Sequence, residues 1–168
     1  MNFRILDCSL RDGGYYTNWD FPDQLVDKYI AVLAEYPVNF VEVGYRSPIK
    51  EGYAGKYFYL PASTISKICT GLRNDQAVTI MLNAKDCTPD DMRPLLGDFT
   101  DEVDTIRLAV DPERLDDAIR LAEVIKSLGF KVAVNLMYLS KQNLDSPVFE
   151  KLADSGNLID IVNLVDSY

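Results

Sequence analysis

Phe3-Arg4-Ile5-Leu6-Asp7-Cys8-Ser9-Leu10-Arg11-Asp12-Gly13-Gly14 passes abruptly from an apolar run into a polar segment closed by two glycines. Phe3 to Leu6 reads as a short buried strand, and the residues behind it read as the loop at the strand's carboxyl end. No GxGxxG follows, so the glycine-rich phosphate turn of a dinucleotide-binding sheet is missing. The opening stretch therefore delivers Asp7, Arg11 and Asp12 to the end of a strand.

Outward from it, similar runs return at Phe40 to Val43, Val78 to Leu82, Thr105 to Val110, Val132 to Leu136 and Ile159 to Val165. Nearly continuous apolar runs are what parallel strands covered on both faces require. Helical patterns separate them, with one apolar face on Leu25, Val26, Tyr29, Ile30 and Leu33 and another on Leu115, Ile119, Ala122, Val124 and Leu128. Thr88-Pro89, Asp111-Pro112 and Ser146-Pro147 each set a capping side chain before a proline suited to the first helical turn. Gly129 and Gly156 follow helical stretches, where a left-handed C-cap favours glycine. Strand starts roughly 27 to 38 residues apart give a βαβ period, which fits either a doubly wound sheet or a barrel.

Composition narrows the function classes. A net charge of −9 argues against nucleic acid or an anionic membrane as partner, because phosphate binding draws on clustered Lys and Arg. Cys8, Cys69 and Cys87 lie far apart with no CxxC spacing, so neither a disulfide framework nor a cysteine zinc site is indicated, and a reducing cytoplasm is the expected location. No stretch reaches the roughly 18 apolar residues of a membrane span. The chain contains no histidine, so acid–base chemistry must use another group or take its histidine from outside this sequence.

In α/β barrels reactive groups gather at the carboxyl ends of the strands. Polar residues meeting that condition are Asp7, Arg11 and Asp12, then Glu42 and Arg46, Asn83 and Lys85, Arg107 and Asp111, Asn135, and finally Asp166 and Ser167. Arg11 beside Asp12 stands out: a carboxylate can hold a hard divalent cation while the guanidinium grips a substrate carboxylate or enolate. An ion pair in a glycine turn is the structural alternative. Glu42, inside an apolar strand, needs a cationic partner such as Arg11 or Arg46, and its expected role is to orient that partner. Arg107 and Asn135 read as ordinary satisfiers of the interior, and the aromatic loop between Tyr45 and Ala62 reads as packing over the strand ends. Without a histidine to activate it, Cys8 reads as a packed side chain.

The segment Ile5 to Tyr15 resembles the first-strand signature, roughly D-x-T-L-R-D-G, of the DRE-TIM metallolyases. That superfamily includes 4-hydroxy-2-oxovalerate aldolase, isopropylmalate synthase and 3-hydroxy-3-methylglutaryl-CoA lyase, and the Gly-Gly-Tyr ending looks most like the aldolase branch. Val41-Glu42-Val43-Gly44, Ile106-Arg107-Leu108-Ala109 and Asp166-Ser167 are weaker echoes along the chain. The resemblance implies an α/β fold of (β/α)₈ TIM-barrel type, here as one incomplete domain over residues 1–168 with about six βα units and strands seven and eight absent. Apolar edges where those strands would close the barrel imply a homo-oligomer.

The resemblance further implies carbon–carbon cleavage or condensation beside a pyruvate-type enolate, with a small keto acid as substrate and a divalent metal, Mn²⁺, Mg²⁺ or similar, as cofactor. Asp12 matches the metal-binding aspartate, Arg11 the arginine that stabilises the enolate oxygen, and Ser167 a serine near the keto acid; Asp7 and Glu42 would orient them. The remaining metal ligands, a histidine pair, would lie beyond Tyr168, so the chain alone is expected to be inactive. The aldolase histidine shortly after the Arg-Asp pair has no counterpart here. Tyr15 and Tyr16 occupy that region, and Tyr15, Tyr16 or a metal-bound water could move the proton, with Tyr15 carried forward as catalytic. A Claisen-type acyl-CoA synthase or lyase, or a non-catalytic barrel-derived module, are the alternatives.

Overall fold

The computed structural model describes residues 3–143 and 145–166. Its first elements are β1 (Leu6–Asp7), α1 (Ser9–Thr17), α2 (Asp23–Glu35), β2 (Phe40–Tyr45), α3 (Lys56–Tyr59), α4 (Ala62–Gly71) and β3 (Ala77–Asn83). They are followed by α5 (Pro89–Leu96), β4 (Thr105–Val110), α6 (Leu115–Ser127), β5 (Lys131–Leu136), α7 (Pro147–Asp154) and β6 (Ile161–Leu164). The strands are parallel and run in the order β1-β2-β3-β4-β5-β6. Strands adjacent in sequence and alternating with helices are those of an incomplete (β/α) barrel, as expected.

The chain divides into two compact units, Met1–Met81 with Asp101–Asp104, and Leu82–Thr100 with Thr105–Tyr168. In the first, Val26, Ile30 and Leu33 form the buried stripe of α2, and Gly71 of α4 lets Ile30 approach closely. Leu25, expected on that stripe, is 55% exposed. In the second unit every residue of β4 is buried. The buried face of α6 is Leu115, Ala118, Leu121, Ala122 and Ile125. Ile119, Val124 and Leu128 are only half-buried: the expected face drifted off the helical period, whereas the observed one keeps spacings of three and four.

Most helix ends follow the sequence signals. Thr88 and Asp91 form a capping box, Asp111 accepts from the Glu113 N–H at 3.0 Å, and Ser146 accepts from Val148 N–H at 3.4 Å. Gly129 is left-handed, with φ of 97°. Gly156 is not: α7 closes at Ser155 with a right-handed backbone. The first strand is shorter than expected, since only Leu6 and Asp7 pair and Phe3 is 84% exposed.

The larger departure is the Arg-Asp-Gly-Gly segment, expected as a loop and found within helix α1. Two glycines weaken a helix by about 1 kcal/mol each, so external contacts must hold it. Asp7 accepts from Ser9 N–H at 3.0 Å and Ser9 Oγ at 3.2 Å, tying down the first turn. Asn18, left-handed at φ of 52°, closes the last.

Candidate active site

Beyond Asn18 the chain stays left-handed for one more residue, Trp19, at φ of 55°. A bulky residue adopts that conformation only when its surroundings impose it. Here the Trp19 N–H donates to Gly14 O at 3.0 Å, its carbonyl accepts from Tyr57 N–H at 3.2 Å, and Asn18 O accepts from Gly55 N–H at 2.7 Å. The indole folds back over α1 and donates from Nε1 to the Arg11 carbonyl at 2.9 Å. A Cβ on Gly14 would lie 2.0 Å from the indole, whereas one on Gly13 would meet nothing closer than 3.7 Å. The second glycine exists to receive Trp19, and α1 is thereby fixed against the loop after β2.

On this helix Arg11 turns inward. Its Nε donates to Glu42 Oε1 at 2.8 Å, and Glu42 is fully buried on β2. Burial alone would depress the guanidinium pKa, but the charge and hydrogen bond of Glu42 outweigh it and the pKa is raised. The cation is permanent. Nη1 bonds Asp12 Oδ1, and no partner for Nη2 is found among the described residues. Of the two partners foreseen for Glu42, Arg11 is seen to bond it; Arg46 donates to the Tyr59 and Leu60 carbonyls among its contacts.

Asp12 is the outward member of the pair, with its side chain 58% exposed. It lines an open depression of about 610 Å³ with Cys8, Ser9, Gly13, Tyr15 and Tyr16. Cys8 lies against it, Sγ to Oδ2 at 3.8 Å. Beneath the helix start, Asp7 accepts from the Tyr29 hydroxyl, whose pKa is raised by burial and by that bond. Asp7 thus anchors the turn that carries Arg11 and Asp12. A second cavity of about 410 Å³ between α2 and α4 is floored by Val26, Ile30 and Ile68 beside the surface pair Asp27–Lys67, and it holds none of these groups.

Tyr45 is a site residue that sequence reasoning missed. The β2–β3 register pairs Glu42 with Thr79 but Tyr45 with Met81, so β2 carries one extra residue between them. Strict alternation would turn Tyr45 away from Glu42; the bulge reverses that phase. Its 3% exposed side chain packs on Trp19 and Phe58, with ring centres at 5.6 and 5.5 Å, and its hydroxyl lies 2.9 Å from that of Tyr15. Gly44, at φ of 153°, supplies the bulge, where a Cβ would meet the Tyr57 carbonyl at 2.1 Å. The only available signal was a glycine inside an otherwise apolar strand. Tyr57 and Phe58 are packing residues, and burial together with Asp23 and Asp27 pushes the Tyr57 phenol up to about 12.

In the second unit Arg107 Nη2 donates to Asn135 Oδ1 at 3.0 Å and Asn163 Nδ2 to the same oxygen at 2.9 Å. Asp111 serves as a cap, and the Lys85 carbonyl receives Arg114 Nη1 at 3.4 Å. Asp166 accepts from Ser140 N–H, which lowers its carboxyl pKa. Ser167 lies outside the described residues. Among the described residues no cluster of three His, Cys, Asp or Glu side chains could hold a metal ion. Asp12 therefore does not make a metal site with its described neighbours alone. No helix of the described residues is long and apolar enough to cross a membrane.

Comparison with known proteins gives a matching picture of the fold. No family model and no curated protein sequence matches the chain. Among solved structures it is similar to the N-terminal domain of a candidate aldolase from Bacteroides vulgatus, with 42% identity and a TM-score of 0.91 over 95% of this chain and 53% of that one. It is also similar to the carboxyl transferase domain of Rhizobium etli pyruvate carboxylase, with 11% identity and a TM-score of 0.69 over 98% of this chain and 30% of that one. The HMG-CoA lyase of Brucella melitensis matches with 16% identity and a TM-score of 0.56 over 95% of this chain and 59% of that one. The last two likenesses concern the fold. The chain spans about half the length of its 42% identical relative.

Proposed function

We propose that the protein carrying this chain is a divalent-metal-dependent aldolase of the DRE-TIM kind, which makes or breaks a carbon–carbon bond beside a pyruvate-type enolate in 4-hydroxy-2-oxo acids. The observation that carries the reading is a permanent guanidinium, held from beneath by fully buried Glu42, directly beside the exposed Asp12 carboxylate at an open depression. A fixed cation costs no reorganisation when negative charge develops on an enolate oxygen. Arg11 meets that charge, and its Nη2 supplies the donors. Similarity at 42% identity to a candidate aldolase domain supports the choice of reaction.

Asp12 contributes one oxygen ligand to the metal, with the others coming from beyond the described residues. A bound divalent cation would add positive charge beside the enolate. Asp7 and Glu42 orient α1 and Arg11, Ser167 contacts the keto acid, and Tyr15 exchanges the proton of the substrate's 4-hydroxyl. For the chain by itself, self-association through the β6 side, where Val162 and Leu164 are 42% and 58% exposed, would appear in light scattering as a species larger than the monomer.

The test is pyruvate release from 4-hydroxy-2-oxo acids by the whole protein with Mn²⁺ or Mg²⁺. Arg11→Lys should lower kcat/KM by at least about 10²-fold, because the forked donor geometry is lost. Thiol release from acyl-CoA substrates with no pyruvate formed, or an Arg11→Lys variant of unchanged turnover, would overturn the reading.

A further inference from the structure

We propose that Tyr45 is a positioning residue for Tyr15: its buried hydroxyl donates to the Tyr15 oxygen, leaving the Tyr15 proton directed at the depression beside Asp12. The inference rests on the aldolase reading for its kinetics, but its geometry stands apart from it. Tyr45 is almost completely buried, and among the described residues its hydroxyl meets one hydrogen-bonding group, the Tyr15 hydroxyl at 2.9 Å. A buried hydroxyl left without an acceptor is costly, so the Tyr45 proton is assigned to that bond. Tyr15 is 59% exposed and lines the depression, so its own proton is the one free to meet a ligand.

Three independent features hold the donor in place. The bulge in β2 turns Tyr45 to the side of Glu42. Trp19 packs against both phenols, at 4.8 Å from the Tyr15 ring and 5.6 Å from that of Tyr45. Phe58 covers the remaining side of Tyr45. The charged groups acting on Tyr45 are Arg11 and Glu42, which pull its titration in opposite directions, and burial with the Tyr15 bond keeps the phenol protonated well above neutral pH.

The chemical consequence can be followed atom by atom. In condensation the enolate carbon attacks an aldehyde carbonyl carbon, the new carbon–carbon bond forms, and the carbonyl π pair moves onto oxygen. The Tyr15 O–H bond breaks as its proton passes to that oxygen, and the phenolate left behind is stabilised by the Tyr45 O–H. Water returns the proton to Tyr15. Cleavage is the reverse, with the Tyr15 phenolate accepting the 4-hydroxyl proton. Tyr45 touches no reacting atom and acts on the strength of Tyr15 as a donor.

The decisive variant is Tyr45→Phe, which keeps the ring between Trp19 and Phe58 and deletes the donor. In the whole protein it should lower kcat about 10-fold with KM and melting temperature unchanged, the expected size for one hydrogen bond to a charged oxygen. Tyr15→Phe should cost about 10²-fold. In the chain labelled with ¹³C at the tyrosine ring carbons, Tyr15→Phe should shift the Tyr45 Cζ resonance, and Tyr45→Phe that of Tyr15. Unchanged kcat in Tyr45→Phe, or no reciprocal shift, overturns the proposal. If the whole protein has no aldolase activity the reading above falls alone, and titration of the labelled chain with pyruvate and Mg²⁺ decides this one. Perturbation of Tyr15 Cζ that weakens in Tyr45→Phe supports it, and absent or equal perturbation in both proteins overturns it.

Discussion

Each unit turns an arginine inward, and the two use it differently. Arg107 is 7% exposed on β4 and gives a hydrogen bond to the neutral amide of Asn135, which also serves Asn163. Arg11 faces a fully buried carboxylate on one side and an exposed one on the other. The first arrangement consumes polarity within the fold. The second leaves a fixed positive charge beside an outward carboxylate. Burial of an arginine therefore says little about function; the charge of its partner and the exposure of its neighbour say more.

The largest expected effect breaks this contrast at its stability. Arg11→Met removes the guanidinium bonded to the buried Glu42 carboxylate and should cost about 3–5 kcal/mol in urea unfolding, whereas Arg107→Met removes a hydrogen bond to the neutral Asn135 amide and should cost less. Adding Glu42→Leu to Arg11→Met should restore most of the loss, since an apolar pair of similar volume is tolerated where a broken ion pair is not. Equal losses from the two arginines would remove the distinction.

A smaller effect is expected where α1 meets Trp19. Gly14→Ala drives a methyl into the indole and should destabilise by about 1–3 kcal/mol, visible also as a change in tryptophan fluorescence. Gly13→Ala, with open space around it, should stabilise by about 0.5–1 kcal/mol through helix propensity. If the two behaved alike, the account of the paired glycines would fail.

The smallest effect concerns pH in the second unit. Burial opposes ionisation of Asp160, but the Val132 N–H at 2.7 Å and Lys126 Nζ at 2.9 Å prevail and its carboxyl pKa is lowered. A group lowered in the folded state stabilises above its unfolded pKa, about 3.9, and that contribution disappears as pH falls through the folded value. Asp160→Asn should therefore flatten part of the acid limb in a pH series of thermal melts.

Much of this was legible in the residues. Strand rhythm, proline-marked helix starts and the need of Glu42 for a cation all follow from local chemistry, because burial of apolar runs and pairing of buried charges hold whatever the topology. Less was legible at the Arg-Asp-Gly-Gly segment, read as a loop because its own propensities favour one. Contacts from Trp19 and Asp7 overrule them. The face of α6 was misjudged for a different reason: several apolar residues on one helix admit more than one stripe, and only the packed neighbour selects among them.

The sequence by itself determined an α/β chain of six strand and helix repeats, and it singled out Arg11, Asp12 and Glu42, since an arginine beside an aspartate after a strand and a glutamate inside one are unusual wherever they occur. Only the tertiary structure decided that Arg11 meets Glu42, that Gly14 makes room for Trp19, and that a bulge brings Tyr45 to Tyr15. The physical reason is that each of these depends on strand register and on contacts between residues far apart in the chain, and a single extra residue in β2 reverses which way every later side chain of that strand points.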